Sequence, residues 1–580
     1  MQAGINWDAI AEYFVYDPQR PLIFSSAQFF VVFLFFYAIY ISLKNRTILR
    51  TLYTLAFSIF FYYKSSGIYL LLLVLSTGID FTLGHYIYNA STQARRRFFL
   101  WLSIAANLGL LGYFKYTNFF LNSVNAITGS GFDLMDIFLP AGISFYTFQT
   151  MSYSIDVYRR HLEPLTEKVK DWRSFLVQFM DFGFFVSFFP QLVAGPIVRA
   201  ADFLPQINRK LGLSHAEMGR ALLLICGGLF KKAVISDYIS VNFVDRVFEN
   251  PGLYSGLENL MAVYGYAFQI YCDFSGYSDM AIGLALLMGF HLNENFHTPY
   301  KSTSIQEFWR RWHISLSTWL RDYLYISLGG NRKGKLRTYV NLMITMLLGG
   351  LWHGTSWVFI VWGGLHGLAL AIDRFLGGLG RWFRLESLRS LIILLIIHLI
   401  GAGVLWGLYS GAQIDGYEFG LYMRANALVA VMWIALFALA LLVDQLAALL
   451  RGKTLQGGLS KAVSSIFVFH FVCLCWVFFR AGAFNNPVPP MVTTSAVLTQ
   501  IGSAFHPELF WQIIQGYKAV IGLIILAFLT HFMPLRLDRF IERVFIGAPA
   551  LGKAFALAFI IWIVIQTASS DVVPFIYFQF

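Results

Sequence analysis

Long, continuously apolar runs recur along the chain and predict helices embedded in a membrane. They lie near residues 23–43, 51–63, 68–89, 98–121, 219–240, 389–411, 427–450, 460–482, 517–534 and 552–569. Several exceed the roughly 18 residues that a helix needs to cross the hydrocarbon core. Because the runs do not alternate apolar and polar residues, they exclude an outer-membrane β-barrel. The pattern predicts an all-α polytopic membrane protein with about 11–13 embedded segments, some of them broken or tilted.

Helix-breaking and polar residues interrupt some of these runs. Pro140 and Gly142 precede a segment rich in hydroxyl and amide side chains, which would lack hydrogen bonds if they faced lipid. We therefore expect residues 139–160 to form a buried, re-entrant element. The alternative is an ordinary span whose Ser and Thr side chains bond back to their own helix. Further interruptions are Pro190, a loop to about residue 214, and Lys231-Lys232.

The residues that flank the first apolar run predict its orientation. Residues 1–22 have the pattern of an amphipathic surface segment, and their acidic side chains provide no basic front for a cleavable signal peptide. Lys44 and Arg46 follow the run and place its end in the cytoplasm, so we expect the N-terminus outside. No internal repeat is evident, which weakens the hypothesis of an inverted-repeat transporter. We expect residues 23–580 to form a single membrane domain.

Composition strengthens the membrane assignment. The chain is 57% hydrophobic and 13% charged, with a mean hydropathy of +0.62. The net charge of +12 does not indicate nucleic-acid binding, because the basic residues form short clusters beside apolar runs, as topological anchors do. These clusters include Lys44-Asn-Arg46, Arg95-Arg-Arg97, Lys231-Lys232 and Arg332-Lys-Gly-Lys335. The four cysteines lack the spacing of metal ligands or of a disulfide framework.

The stretch from Gln269 to Leu368 concentrates polar residues in otherwise apolar sequence. It contains Cys272-Asp-Phe-Ser-Gly-Tyr-Ser-Asp279, Asn295-Phe296, Glu307-Phe-Trp-Arg-Arg-Trp-His313 and, inside a predicted apolar helix, Leu351-Trp-His353-Gly354. An Asp, Lys or Arg at a helix centre in the bilayer costs about 2.5–3.5 kcal/mol. Such residues are therefore site candidates, although arginines also reach the headgroups or pair with other charges.

Among the twelve histidines, His353 has the most distinctive neighbours. Gly349-Gly350 and Gly354 remove side chains from the helix surface, so a substrate or another backbone can approach the imidazole. Trp352 supplies a flat wall. Most other histidines lie in loops or stand singly in apolar runs, where a hydrogen-bonded structural role is the common one. The single ones are His85, His366, His398, His470 and His531.

A neutral imidazole can take a proton from a hydroxyl, because histidine titrates near pH 6.5. Such general-base help contributes roughly 10²- to 10⁴-fold to a rate. With a thioester as the second reactant, the thiolate leaves without strong acid assistance. A basic cluster formed by Arg310, Arg311, Arg321, Arg332, Lys333 and Lys335 suits the phosphates of an acyl-CoA; the alternative is topological anchoring. Motifs of serine hydrolases, nucleotide-binding loops, dinucleotide folds and zinc peptidases are absent from the sequence.

Together these motifs resemble the membrane-bound O-acyltransferase family. The similarity is closest to the bacterial branch that includes the membrane subunit of alginate O-acetylation, relatives acting on cellulose and peptidoglycan, and the teichoic-acid D-alanylation protein. It is dense over residues 140–370, where Tyr325-Ile-Ser-Leu-Gly-Gly-Asn331 joins the motifs already given. Ser327 stands where the family pattern suggests proline.

The resemblance implies a fold and a set of functional residues. The family fold is a ring of tilted helices around a thinned centre, with a cytoplasmic entry for the acyl donor and an outer opening for the acceptor. His353 matches the invariant histidine to which the catalytic role is given, and His313 matches a second polar position. No bound cofactor or metal is implied, and the polysaccharide branch works with a periplasmic SGNH-type transferase.

The leading hypothesis is a bacterial inner-membrane enzyme that passes acetyl from cytoplasmic acetyl-CoA towards an extracytoplasmic polysaccharide or a partner protein. His353 is the predicted general base and His313 its helper. The predicted substrate and acyl-CoA contacts are Asp279, Asn295, Trp309, Arg310, Arg311 and Trp352. Within the same class, the alternative is D-alanyl transfer to a cell-wall polymer. From other classes, the alternatives are a lipid or acyl transporter with proton-gating histidines and a catalytically silent scaffold.

Overall fold

The computed structural model describes residues 14–18, 21–192, 195–379, 416–451, 458–483 and 488–567, together with part of 392–410. Every regular element in this part of the chain is a helix, which confirms the all-α prediction. In chain order, the described α-helices of six or more residues are α1 (Ala27–Ser42), α2 (Thr47–Ser66), α3 (Leu70–Asn89), α4 (Gln93–Leu111), α5 (Thr117–Thr128), α6 (Ile143–Tyr158), α7 (Trp172–Ser187), α8 (Ala200–Ile207), α9 (His215–Leu229), α10 (Gly256–Leu287), α11 (Ile305–Arg311), α12 (Ile314–Trp319), α13 (Lys335–His353), α14 (Trp357–Leu379), α15 (Gly416–Arg451), α16 (Gly458–Ala483), α17 (Pro490–Ser503), α18 (Phe510–Gly516), α19 (Lys518–His531), α20 (Leu535–Gly547) and α21 (Ala550–Thr567).

Six stretches of described helix are long and apolar enough to cross a membrane, or seven if the bent pair α18 and α19 forms one span. They are Thr47–Asn89, Gln93–Thr128, Trp357–Phe375, Tyr422–Ala440, Leu459–Ala483 and Ala550–Thr567. This confirms a multi-pass helical membrane protein. The larger number of embedded segments, which includes short and broken ones, and their arrangement in a ring stay predictions. The apolar run near residues 389–411 lies largely outside the described residues.

Contacts between residues divide the chain into two compact units. The first unit comprises Met1–Tyr238, Ile270–Asn295 and Pro534–Phe580, and the second comprises Ile239–Gln269 and Phe296–Met533. The single membrane domain expected over residues 23–580 stays a prediction, as does the surface segment over residues 1–22. Most of that segment lies outside the described residues.

In the first unit, α6 confirms that the segment after Pro140 and Gly142 is buried. Of its sixteen residues, all but Ile155 and Tyr158 are buried. Ser154 Oγ donates to Asp80 Oδ1 over 3.0 Å, while Ser152 Oγ bonds back to the carbonyl oxygen of Gln149 over 2.7 Å. The Ser154 and Ser152 hydroxyls are therefore satisfied in the two ways considered, by a neighbouring helix and by their own helix respectively.

Two details of the first unit differ from the sequence prediction. The segment leading to residue 214 was expected to be a loop, yet it contains the eight-residue helix α8, which has Pro205, a residue that disfavours helix interiors, inside it. Lys232 was grouped with headgroup anchors, and this is wrong because its side chain is fully buried. Its Nζ lies 2.7 Å from Asp237 Oδ1 and 2.6 Å from Asp273 Oδ1. Helix α9 ends just before it, in a π-helical turn over Phe230–Ser236, which matches the predicted interruption.

In the second unit, α13 and α14 form a helical hairpin whose glycines meet each other. A Cβ added at Gly350 would lie 2.2 Å from the carbonyl oxygen of Phe359, and one at Gly363 would lie 2.3 Å from that of Met346. One at Gly354 would lie 2.1 Å from the Phe359 ring. Of the two partners that sequence analysis allowed for these glycines, substrate or backbone, Gly350 meets the backbone of the next helix.

We expect Gly350→Ala to destabilise the protein by about 1–3 kcal/mol, because the added methyl group must push α14 away from α13. Gly364→Ala is the matched control in the same hairpin. Its Cβ would meet Leu347 Cδ2 at an ordinary 3.6 Å, and alanine is favoured over glycine in a helix by roughly 0.5–1 kcal/mol. Thermal unfolding of the purified variants in detergent measures both. Equal midpoints for the two variants would contradict the close packing at Gly350.

Candidate active site

His353 is the last residue of α13 and is buried. The apolar run predicted that it lies inside a helix, but the helix ends there because Gly354 is extended, with φ −165° and ψ 167°. Its imidazole ring packs edge-on against Trp362 and Phe479, with ring centroids 5.0 and 5.2 Å away. A helix end surrounded by aromatic rings holds this imidazole in one place, as a proton acceptor requires.

His313 lies in the short connection between α11 and α12, outside the candidate membrane spans. It is fully buried and adopts a left-handed backbone conformation, with φ 42° and ψ 57°. Such a conformation costs a non-glycine residue about 1–3 kcal/mol and is concentrated at functional sites. Burial lowers the pKa of the imidazole to about 3, so the ring is neutral near pH 7.

The indole of Trp352 connects the two histidines. Its ring centroid lies 6.3 Å from that of His313, and Trp352 directly precedes His353. Trp309 joins the same group through Trp362, whose ring lies 5.7 Å from it. The structure therefore brings together four of the predicted site residues, His313, Trp309, Trp352 and His353, within the second unit.

His366 belongs to this aromatic cluster and was passed over as a single histidine in an apolar run. It lies on α14 and its ring centroid is 4.9 Å from that of Trp362 and 5.1 Å from that of Trp309. Within the described part of the chain, neither of its ring nitrogens has a hydrogen-bond partner. His470, by contrast, uses both nitrogens, with Tyr264 Oη and with the carbonyl oxygen of Ile466. The glycines that flank His366 in sequence, as glycines flank His353, were the available signal.

The remaining predicted site residues lie elsewhere or already have partners. Arg310 is exposed. Arg311 donates from Nε and Nη2 to Glu307 Oε1, over 3.0 and 2.7 Å, and from Nη1 to Thr298 Oγ1. Its guanidinium is thus partly committed within its own unit. Contact of either arginine with acyl-CoA phosphates stays a prediction.

Asp279 and Asn295 belong to the first unit. Asp279 forms an ion pair with Lys231, and the buried Asn295 donates from Nδ2 to Ser278 Oγ over 3.2 Å. The predicted substrate contacts of both residues stay predictions. Among the described residues, no group of three or more His, Cys, Asp or Glu side chains is arranged to hold a metal ion.

The chain is similar in sequence to known proteins. The sequence profile of the membrane-bound O-acyltransferase family matches residues 124–402. A peptidoglycan O-acetyltransferase of Helicobacter pylori is 41% identical over 358 residues, which cover 59% of this chain and 68% of the relative. A probable alginate O-acetylase of Pseudomonas aeruginosa is 44% identical over 365 residues, covering 61% of this chain and 66% of the relative.

Two further relatives are an enzyme for another acyl group and a second alginate O-acetylase. A teichoic acid D-alanyltransferase of Streptococcus thermophilus is 31% identical over 247 residues, covering 40% of this chain and 56% of the relative. A probable alginate O-acetylase of Pseudomonas putida is 48% identical over 292 residues, covering 49% of this chain and 57% of the relative. The chain thus spans between about half and two thirds of the length of most of these relatives. The matched residues 124–402 include both His313 and His353.

Proposed function

Because the chain belongs to the membrane-bound O-acyltransferase family, we propose that it moves acetyl groups from cytoplasmic acetyl-CoA towards a polysaccharide outside a bacterial inner membrane. Family membership confirms the predicted enzyme class, an acyltransferase. The observation that carries the finer proposal is the pair His313 and His353, joined by Trp352 in a buried aromatic cluster. The acetyl group is favoured because the O-acetyl relatives share 41–48% identity with the chain, and the D-alanyl relative 31%.

In the proposed reaction, His353 takes the proton from a hydroxyl group of the acceptor while that oxygen attacks the acetyl carbonyl carbon. The new O–C bond forms as the C–S bond of the thioester breaks, and the CoA thiolate leaves and takes the proton from the His353 imidazolium, which restores the neutral base. His313, which is neutral because it is buried, orients the reactants by hydrogen bonding and stays uncharged during the reaction. Trp309 and Trp352 exclude water, so hydrolysis of acetyl-CoA competes poorly with transfer.

The acceptor and the partner follow from the same proposal. The relatives named for O-acetylation act on alginate or peptidoglycan, and this supports an extracytoplasmic glycan as the final acceptor. A periplasmic SGNH-type transferase is proposed to complete delivery, in which case its serine hydroxyl would receive the acetyl group first. We propose that the N-terminus lies outside the membrane. On the cytoplasmic side, Arg310 is proposed to help bind the phosphates of CoA.

Acetyl-CoA turnover by the full chain, reconstituted in phospholipid vesicles, tests this function. We expect free CoA to appear when a soluble polysaccharide acceptor or the partner transferase is supplied. Cells that lack the chain should make the polymer in normal amount without O-acetyl groups. Absence of CoA release from well-folded protein would contradict acetyl transfer. Loss of the polymer itself would favour export or scaffolding, and loss of D-alanine esters would favour the D-alanyl alternative.

A further inference from the structure

An elongated apolar cavity in the first unit lies between α2, α3 and α7. Its volume is about 490 Å³, within the range of roughly 300–1,000 Å³ that ligand pockets occupy. Thirteen residues line it, none of them charged. It is separate in sequence from the histidine cluster, whose residues all belong to the second unit.

The lining residues that come from α2 and α7 show the same spacing in sequence. Helix α2 contributes Ile48, Leu52, Leu55 and Ile59, and α7 contributes Leu176, Met180, Gly183 and Ser187. Both sets follow the spacing i, i+4, i+7, i+11, which keeps them on one face of a helix. Eleven residues of helix extend about 16 Å. Helices α2 and α7 therefore each form an apolar wall along the length of the cavity. Gly183 leaves space near the middle of the α7 wall because it has no side chain.

The chemistry of the lining selects a hydrocarbon. Thr77 and Ser187 carry the only side-chain hydroxyls among the lining residues. Each donates its proton to the carbonyl oxygen four residues earlier in its own helix, Leu73 and Gly183, over 2.7 Å. Neither hydroxyl proton is left for a polar ligand. By comparison, an engineered apolar cavity of about 150 Å³ holds benzene, so this one has room for roughly 20 carbon atoms.

The mouth of the cavity opens where bilayer lipid is expected. Ile48, Leu52, Val74 and Leu176 are between 45% and 57% exposed. Helices α2 and α3 make up the candidate membrane span Thr47–Asn89, and exposed apolar side chains of a spanning helix face hydrocarbon. The cavity is thus continuous with the lipid-facing surface. We infer that it binds one acyl chain of a bilayer phospholipid, held lengthwise between α2 and α7.

Gly183→Leu tests this inference by filling the cavity. A Cβ at Gly183 would meet only Leu55 Cδ1, at an unstrained 3.9 Å, so the leucine side chain can extend into the space. Gly109→Leu is the matched control, since it adds the same side chain to α4 at a position with nothing within 4 Å. Both glycines lie inside helices of the first unit and line no part of the histidine cluster.

The probe is a phosphatidylethanolamine that carries a photoreactive diazirine on one acyl chain, mixed into vesicles of phosphatidylethanolamine and phosphatidylglycerol. We expect labelling of wild-type protein and Gly109→Leu to concentrate in peptides from α2 and α7. Gly183→Leu should reduce that labelling at least about fivefold, while labelling elsewhere stays unchanged. Labelling spread evenly over the lipid-facing helices, or equal labelling of both variants, would overturn the inference. A further contrary result would come from replacing Leu52 with a diazirine-containing amino acid. Crosslinking of that residue to another polypeptide in native membranes would overturn the inference.

A second measurement covers the outcome in which Gly183→Leu folds poorly. Native mass spectrometry of the detergent-purified protein counts the phospholipids that stay bound. Wild-type protein and Gly183→Ala, which adds only a methyl group, should retain one phospholipid that dissociates more slowly than the rest. Its absence from both would overturn the inference. Because these readouts measure lipid and not CoA, their failure leaves the proposed acyl transfer untouched.

Discussion

We expect His353→Ala to lower the rate of acetyl transfer from acetyl-CoA by about 10²- to 10⁴-fold. The imidazole lies at the end of α13 between Trp362 and Phe479. Without it, the acceptor hydroxyl must lose its proton to water in a site that excludes water. Release of CoA by protein in vesicles, at matched amounts of folded protein, measures the effect.

His353→Gln separates loss of the base from loss of packing. Glutamine fills much of the same volume but accepts a proton far less readily, so we expect it to be as inactive as alanine and more stable. His215→Ala is the control, because His215 is exposed at the start of α9 in the first unit. It should leave transfer unchanged. If His353→Gln keeps wild-type transfer, His353 is a structural residue and the proposed mechanism fails.

Local sequence features predicted the helices well because membrane helices are selected by local composition. Continuous apolar runs predicted five of the six candidate spans in the described residues but not Trp357–Phe375, and Pro140 with Gly142 marked the start of the buried helix α6. Even Lys231-Lys232, which breaks an apolar run, coincides with the π-helical turn after α9. Each of these features acts within one or two helical turns, so it can be predicted from the local sequence without knowing which distant residues it contacts.

Tertiary partners could not be predicted in the same way. Lys232 looked like a headgroup anchor because its partner Asp273 lies in another helix, α10. For Gly350, sequence left open whether substrate or backbone approaches, and only the position of α14 decides it. The pair Glu307 and Arg311 is different: an acidic residue four positions before a basic one on a helix could have been paired from sequence alone.

The polar residues of the motif-rich stretch separate into two physical kinds. Asp273 and Asp279, both in the first unit, form ion pairs with Lys232 and Lys231. The histidines at 313, 353 and 366 are packed among aromatic rings in the second unit. A charged pair offsets burial by mutual attraction, whereas an imidazole can be buried neutral and still exchange a proton. We therefore expect the proton to be taken by an imidazole of the second group, namely His353, whereas the ion pairs offset the burial of the first group.

Asp273→Asn should destabilise the protein by about 3–5 kcal/mol, because removing one partner of a buried ion pair leaves the other charge under-compensated. The Lys232 side chain has no exposed surface and that of Asp273 is 4% exposed. Asp237, the second carboxylate near Lys232, is more exposed at 19% and replaces only part of the lost attraction. The free energy of unfolding in mixed detergent micelles measures the change.

A double variant tests whether the loss of stability comes from the buried charge that remains after its partner is removed. Lys232→Met combined with Asp273→Leu removes both buried charges, and apolar replacements of a buried pair are often nearly neutral. We expect the double variant to be more stable than Asp273→Asn or Lys232→Met alone. The control is Glu542→Gln, which breaks the exposed pair between Arg220 and Glu542 in the same unit and should cost no more than about 1 kcal/mol. If Asp273→Asn costs no more than this control, the Lys232 pair does not hold α10 in place. If the losses of Lys232→Met and Asp273→Leu, each measured alone, add up in the double variant, the charges act independently and the ion pair contributes no coupling.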